Sequence, residues 1–283
     1  MIVDCHTHIN CPGDDVDPSG HLAATETVDS CIVLALPPLL SARRPASRRE
    51  TRGQATADKG AESSREVNEK LSEYVSKHKA KMVGFAFVEP TKDKTSIKNL
   101  AVVRDKLGLA GTVLYCSECG FHPTHSKAMR LYESAQELGL PVFFHSSEPL
   151  GPAAILEYAQ PFLLDEVARE FSALKIVIGT MGVPFVEQTL SMVAKHENVY
   201  ADLTLRVSNI WQVYNIVVSA HERGVMDKLL FGSGFPFGNP GECIETLLGF
   251  NKLLADTNLP TVPRGNIQNI IERDTLELLK IRR

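Results

Sequence analysis

Short runs of apolar, mostly β-branched residues recur along the chain, each followed by a stretch in which apolar positions return at helical spacing. The runs are "IVDC" at 2–5, "CIVLALP" at 31–37, "MVGFAFV" at 82–88, "GTVLYC" at 111–116, "PVFFH" at 141–145, "KIVIG" at 175–179, "NVYADL" at 198–203 and "KLLFG" at 228–232. They are close to continuous rather than alternating, as strands buried on both faces of a parallel sheet require. Between them, Val67, Leu71, Tyr74 and Val75 share one helical face, as do Ala128, Leu131, Tyr132, Ala135 and Leu138, and Val186, Leu190 and Val193. A further helix is expected over 242–255, and more helix over "NIQNIIERDTLELLKI" near the C-terminus. Eight βα units of this kind predict a (β/α)8 TIM barrel, with residues 1–283 forming a single domain. A doubly wound open sheet fits less well, because it usually has fewer strands and a glycine-rich first turn, which is absent here. No internal repeat is visible.

Composition narrows the class. Apolar residues make up 43% of the 283 positions and charged residues 23%, ordinary values for a soluble folded chain. The formal net charge of -4 offers no general attraction for nucleic acid or anionic membranes, so neither is expected as a partner. The start "MIVDCHTHIN" lacks a charged stretch followed by a long apolar one, and no later segment is long and apolar enough to span a bilayer. A cytoplasmic protein with mostly reduced cysteines is expected, since six scattered cysteines do not make a disulfide framework. One segment, 41–64, has no apolar period and carries Arg43, Arg44, Arg48, Arg49 and Arg52. It is expected to be a long mobile loop after the second strand, either a solvated tether or a recruiter of anions. The acidic "GDDVDP" at 13–18 lies on the neighbouring first loop.

In such a barrel the chemistry sits at the C-terminal ends of the strands. His6 and His8, at the end of the first strand, are two residues apart, so in extended chain both rings point to the same side. His145 closes the fifth strand. Three neutral imidazoles suit zinc or a similar divalent ion. Glu89, Glu118 and Glu148 lie in loops that could reach the same face, although each also reads as an ordinary solvated residue. Cys116, Cys119, His122 and His125 recur at intervals of three on the loop after the fourth strand. Thiolate and imidazole are zinc ligands, but the spacing is too tight for a finger, and a loop with reduced cysteines is the simpler reading.

The segments "DCHTHI", "GLAGTVLY", "YESAQELGLPVFFH", "KIVIGTMGVPF", "DKLLFGSGFPF" and "GNIQNII" together resemble the amidohydrolase superfamily, specifically the metal-dependent hydrolases and decarboxylases of the amidohydrolase-2 type. The resemblance implies that His6, His8 and His145 are ligands of a divalent metal, usually zinc. It also implies two departures: Thr180 stands where the family has an acid–base histidine on the sixth strand, and Gly234 where it has an aspartate ligand on the eighth. Val113 falls nearest the place of a strand-four lysine, so the implied site is mononuclear. Threonine has no pKa near neutrality and glycine has no side chain, so neither replacement can transfer a proton.

The expected function is therefore metal-dependent hydrolysis of a small, carboxylate-bearing molecule with altered catalysis, decarboxylation being the lyase variant. The other reading is a non-catalytic homologue that binds a ligand or a partner subunit through the old active-site mouth; a homo-oligomer is a separate expectation. Fold alone does not choose between them.

Overall fold

The computed structural model describes residues 1–9, 18–37, 63–145, 150–204 and 207–281. Eight strands follow one another in chain order: β1 (Val3–Thr7), β2 (Ser30–Leu34), β3 (Met82–Phe87), β4 (Gly111–Leu114), β5 (Val142–Phe144), β6 (Ile176–Ile178), β7 (Val199–Thr204) and β8 (Leu229–Gly232). Each pairs in parallel with the next, in the order β1 to β8. The circle closes where the Gly234 N–H donates to the His6 carbonyl and the His8 N–H to the Phe235 carbonyl, both at 2.9 Å. The strands are buried along essentially their whole length, which is why their sequences read as apolar runs.

The helices among the described residues are α1 (Pro18–Ala24), α2 (Ser64–Lys77), α3 (Ile97–Asp105), α4 (Cys116–Cys119), α5 (Ser126–Leu138), α6 (Asp165–Glu170), α7 (Val186–Lys195), α8 (Ile210–Glu222), α9 (Pro240–Leu248), α10 (Arg264–Ile271) and α11 (Thr275–Leu278). The apolar faces read from spacing are the ones that pack inward. Val67, Leu71, Tyr74 and Val75 of α2 are buried, as are Ala128, Leu131, Tyr132 and Ala135 of α5 and Leu190 and Val193 of α7. Each fully buried Leu, Val or Phe contributes about 1.5–3 kcal/mol of hydrophobic stabilisation before chain entropy is counted.

Three details differ from expectation. The first strand runs on to Thr7 instead of ending at Cys5, and Gly234 and Phe235, just beyond β8, supply partners for the backbone of His6 and His8. The expected helix over 242–255 ends at Leu248 and continues as a short 3-10 turn, Phe250–Leu254. The expected loop 41–64 gives way to helix at Ser64, where Ser63 and Glu66 form a reciprocal capping box. The remainder of that loop, with its arginines, lies outside the described residues, as do Glu148 and acidic residues 13–17.

Candidate metal centre

The site begins with an irregularity in β1. Asp4 pairs with Cys31 but Thr7 pairs with Val33, so three steps on β1 match two on β2. Such a bulge re-aims side chains. Here it turns both Cys5 and His6 toward one carboxylate, that of Asp202 on β7: the Cys5 Sγ lies 3.6 Å from Oδ1 and the His6 Nδ1 2.6 Å from Oδ2.

The three histidines converge. Nε2 of His6 lies 3.1 Å from Nε2 of His8 and 3.0 Å from Nε2 of His145, and the three ligand atoms all fall within 4.8 Å of one another. All three residues are buried. The His8 Nδ1 lies 2.9 Å from the Leu34 carbonyl oxygen, an acceptor only, so Nδ1 carries the proton and Nε2 a lone pair. His6 is held the same way by Asp202. With both rings neutral, two lone pairs face each other at 3.1 Å, an arrangement that repels unless a cation lies between them. Protonation of His8 or His145 does not supply that cation readily. Burial, followed by the charge of His6, pushes His8 down to about 3, and the same two causes with His8 added push His145 well below the usual histidine range. Neutral imidazoles with inward-facing lone pairs fit a divalent metal. The His145 Nδ1 has no partner among the described residues, and its ring lies 4.6 Å from that of Tyr115, whose hydroxyl donates to the Ala35 carbonyl.

Around the triad the two departures take definite shape. Thr180 sits just beyond β6 with φ 48° and ψ 39°, left-handed values that a β-branched residue seldom adopts, and Met181 follows at φ 52°. The turn is held by the Thr180 N–H, which donates to Asp202 Oδ2 at 3.0 Å. Gly234 is left-handed too, at φ 67°. Neither residue brings an ionisable group to the histidines.

Asp202 and Asp4 were not singled out by sequence. The available signal was a carboxylate inside an otherwise apolar strand, in "NVYADL" and "IVDC". Asp4 accepts from the backbone N–H of Ser233 at 2.9 Å and of His6 at 3.2 Å, tying β1 to β8. Burial outweighs those hydrogen bonds and pushes its carboxyl up to about 6, in keeping with an Oδ2 that has no partner among the described residues.

The other candidates stay apart from the triad. Glu89 is buried but paired with Lys92 at 2.9 Å, within the turn after β3. Glu118 lies on α4 and accepts from Ser117. His125 caps α5, its Nδ1 accepting from the Lys127 N–H, and the His122 Nδ1 accepts from the Thr124 N–H. Burial raises the Cys116 thiol far above its usual range and, with Glu89 and Glu118, pushes Cys119 up to about 12. They are thiols rather than thiolates, and among the described residues only His6, His8 and His145 form a group able to hold a metal. A small cleft bordered by Phe144, His145, Tyr158, Pro161 and Gly182 opens beside the triad. A larger cavity of about 600 Å³ lies against Leu140, Pro141 and Lys175, at the N-terminal ends of β5 and β6 and away from the histidines.

No helix among the described residues is long and apolar enough to cross a membrane. Comparison with known proteins agrees with the fold. The chain is similar to a solved probable 2-pyrone-4,6-dicarboxylic acid hydrolase from Acinetobacter baumannii, at 15% identity and a TM-score of 0.65, covering 99% of each chain. It is similar to 2,6-dihydroxybenzoate decarboxylase from Rhizobium, at 15% identity and a TM-score of 0.66, covering 99% of this chain and 98% of that one. The 5-carboxyvanillate decarboxylase of Novosphingobium aromaticivorans, solved with bound manganese, shows 10% identity and a TM-score of 0.67 over 99% and 97% of the two chains. No curated protein matches. The amidohydrolase family model, however, matches residues 3–266, nearly the whole chain, and the protein belongs to the amidohydrolase family.

Proposed function

We propose that this chain is a metal-dependent enzyme of the amidohydrolase-2 type acting on a small carboxylate-bearing molecule, with proton transfer altered from that of its relatives. The observation that carries the reading is the convergence of the three Nε2 atoms, His6 lying 3.1 Å from His8 and 3.0 Å from His145, while the Nδ1 atoms of His6 and His8 each face an oxygen. A divalent ion, zinc being the best match to three imidazoles, supplies Lewis acidity for polarising a carbonyl or carboxyl oxygen. His8 is oriented by Leu34 and His6 by Asp202, so two of the three ligands are fixed before any ion arrives. Burial of the triad excludes water and strengthens the electrostatics at that end of the barrel. The choice of a carboxylate follows the solved relatives, which act on a pyrone dicarboxylate, a dihydroxybenzoate and a carboxyvanillate.

A second reading has its own support. Thr180 and Gly234 place no acid or base at the triad, and loss of positioned acid–base catalysis costs about a hundredfold to ten-thousandfold in rate. On that reading the site binds a metal and a carboxylate without turning it over. Metal analysis of protein purified without chelator, followed by a screen of aromatic and pyrone carboxylates for binding and turnover, separates the two. Stoichiometric metal with turnover, both lost in His6→Ala, supports the enzyme; metal and binding without turnover supports the second reading; a metal-free protein that takes up no added zinc or manganese defeats both.

A further inference from the structure

The Asp202 carboxylate has no solvent exposure, and its Oδ2 faces three donors: His6 Nδ1 at 2.6 Å, the Thr204 hydroxyl at 2.5 Å and the Thr180 N–H at 3.0 Å. The Thr204 Oγ1 also lies 2.8 Å from His6 Nδ1. Its single proton goes to the carboxylate, so its oxygen is free to accept, and the His6 N–H is shared between Oδ2 and Oγ1. No arrangement in which His6 carries its proton on Nε2 satisfies these contacts equally well, because Nδ1 would then set a lone pair against the carboxylate.

The backbone makes room for this carboxylate. A Cβ at Gly232, which pairs with Thr204, would stand 2.1 Å from Asp202 Oδ1 and 3.0 Å from His6 Cβ, so this position on β8 has to be glycine. The Thr180 turn takes a left-handed conformation unfavourable for threonine while its N–H reaches the same oxygen. A carboxylate serving only as a strap between β7 and the turn needs the Thr180 and Thr204 donors alone. The short contact to the ring of a candidate ligand is not part of that duty.

From this geometry, and resting on the metal reading above, we propose that Asp202 is the positioning residue of the centre. It fixes His6 in the Nδ1–H tautomer, aims the Nε2 lone pair at His8 and His145, and lends negative charge to the triad from β7, while Gly234 beyond β8 lends none. A carboxylate on the far nitrogen of a ligand histidine makes the imidazole a better donor, and losing such a partner typically weakens metal binding about 10- to 100-fold.

The test uses the full chain and Asp202→Asn, which keeps size and an acceptor oxygen but removes the charge. Zinc titrated calorimetrically into metal-free wild type is expected to bind at one site, and into Asp202→Asn at one site about 10- to 100-fold more weakly. Equal affinity in the folded variant overturns this inference and leaves the metal reading standing. Wild type that binds no zinc overturns both. A readout without metal or variant comes from the nitrogen-15 shifts of the His6 ring in metal-free wild type: a proton on Nδ1 is expected, and an Nδ1 without a proton overturns the proposal even if Asp202→Asn fails to fold.

Discussion

The γ-methyl of Thr204 occupies the space into which any side chain at Gly234 would project: a Cβ there would stand 2.6 Å from Cγ2. Gly234 is also left-handed, at φ 67°, where aspartate is tolerated only at a cost. The aspartate absent from this position cannot simply be put back. Gly234→Asp is expected to lower stability by about 1–3 kcal/mol in urea unfolding, and Gly234→Asp with Thr204→Ser to recover part of the loss. Restoring Thr180→His and Gly234→Asp together raises zinc affinity only when Thr204→Ser accompanies them. Tighter zinc binding by the double variant without the Thr204 change would show that the backbone yields more easily than the contact implies.

Strain is local at Thr180 as well. Its left-handed conformation costs a β-branched residue more than it costs asparagine, which visits that region several-fold more often. Thr180→Asn keeps the N–H that binds Asp202 and is expected to stabilise the protein by about 1 kcal/mol, read as a raised melting temperature. An unchanged or lower value means that the threonine side chain makes a compensating contact.

Much of this architecture was legible in the sequence. Strands buried on both faces have to be apolar, so the runs from "IVDC" to "KLLFG" marked β1 to β8, and the spacing of His6 and His8 with the strand-end place of His145 named the triad. What was not legible is long-range or conformational. Asp202 and His6 are 196 residues apart, and nothing local to "YADL" says which histidine its carboxylate meets. The bulge that turns Cys5 and His6 to the same side leaves no mark in an apolar run. The left-handed turn at Thr180 and Met181 contradicts the preference of its own residues, and the contact that accompanies it, the Thr180 N–H on the Asp202 carboxylate, lies on the next strand.

Metal should stabilise the fold as well as serve the chemistry, since the convergent triad exists only in the folded chain. Zinc or manganese at a free concentration a hundredfold above its dissociation constant is expected to add about 2.7 kcal/mol. The melting temperature rises on addition and falls back on chelation, and in His6→Ala the rise disappears. A shift of equal size in His6→Ala would place the ion elsewhere.

The loop after β4 should take no part in this. Burial pushes the Cys116 and Cys119 thiols above their usual range, and neither belongs to the group of convergent ligands. Cys119→Ser is expected to leave the metal stoichiometry unchanged, by elemental analysis after dialysis. A drop in bound metal would restore the loop as a second site.

His21 of α1 gives the fold a pH dependence that can be isolated from the triad. Its ring is buried against Phe235 at 5.1 Å between centroids, Nδ1 lies 2.7 Å from the Tyr74 hydroxyl, and Nε2 has no partner among the described residues. Burial, then the charges of Lys81 and His78, push it down to about 4. An unfolded histidine titrates near about 6.5, so as pH falls from there to about 4 the unfolded chain takes up a proton that the folded one refuses. The contribution is fully present above the unfolded value and is lost on acidification, at up to about 1.4 kcal/mol per pH unit. His8 and His145 act in the same direction and Asp4 in the opposite one, so the informative quantity is a difference between two proteins rather than one slope. His21→Phe keeps an aromatic ring in place and removes the titration. Measured by urea unfolding of metal-free protein across this acidic range, its stability is expected to fall with decreasing pH less steeply than that of wild type, by up to one proton's worth. Equal slopes would mean that His21 accepts its proton in the folded state.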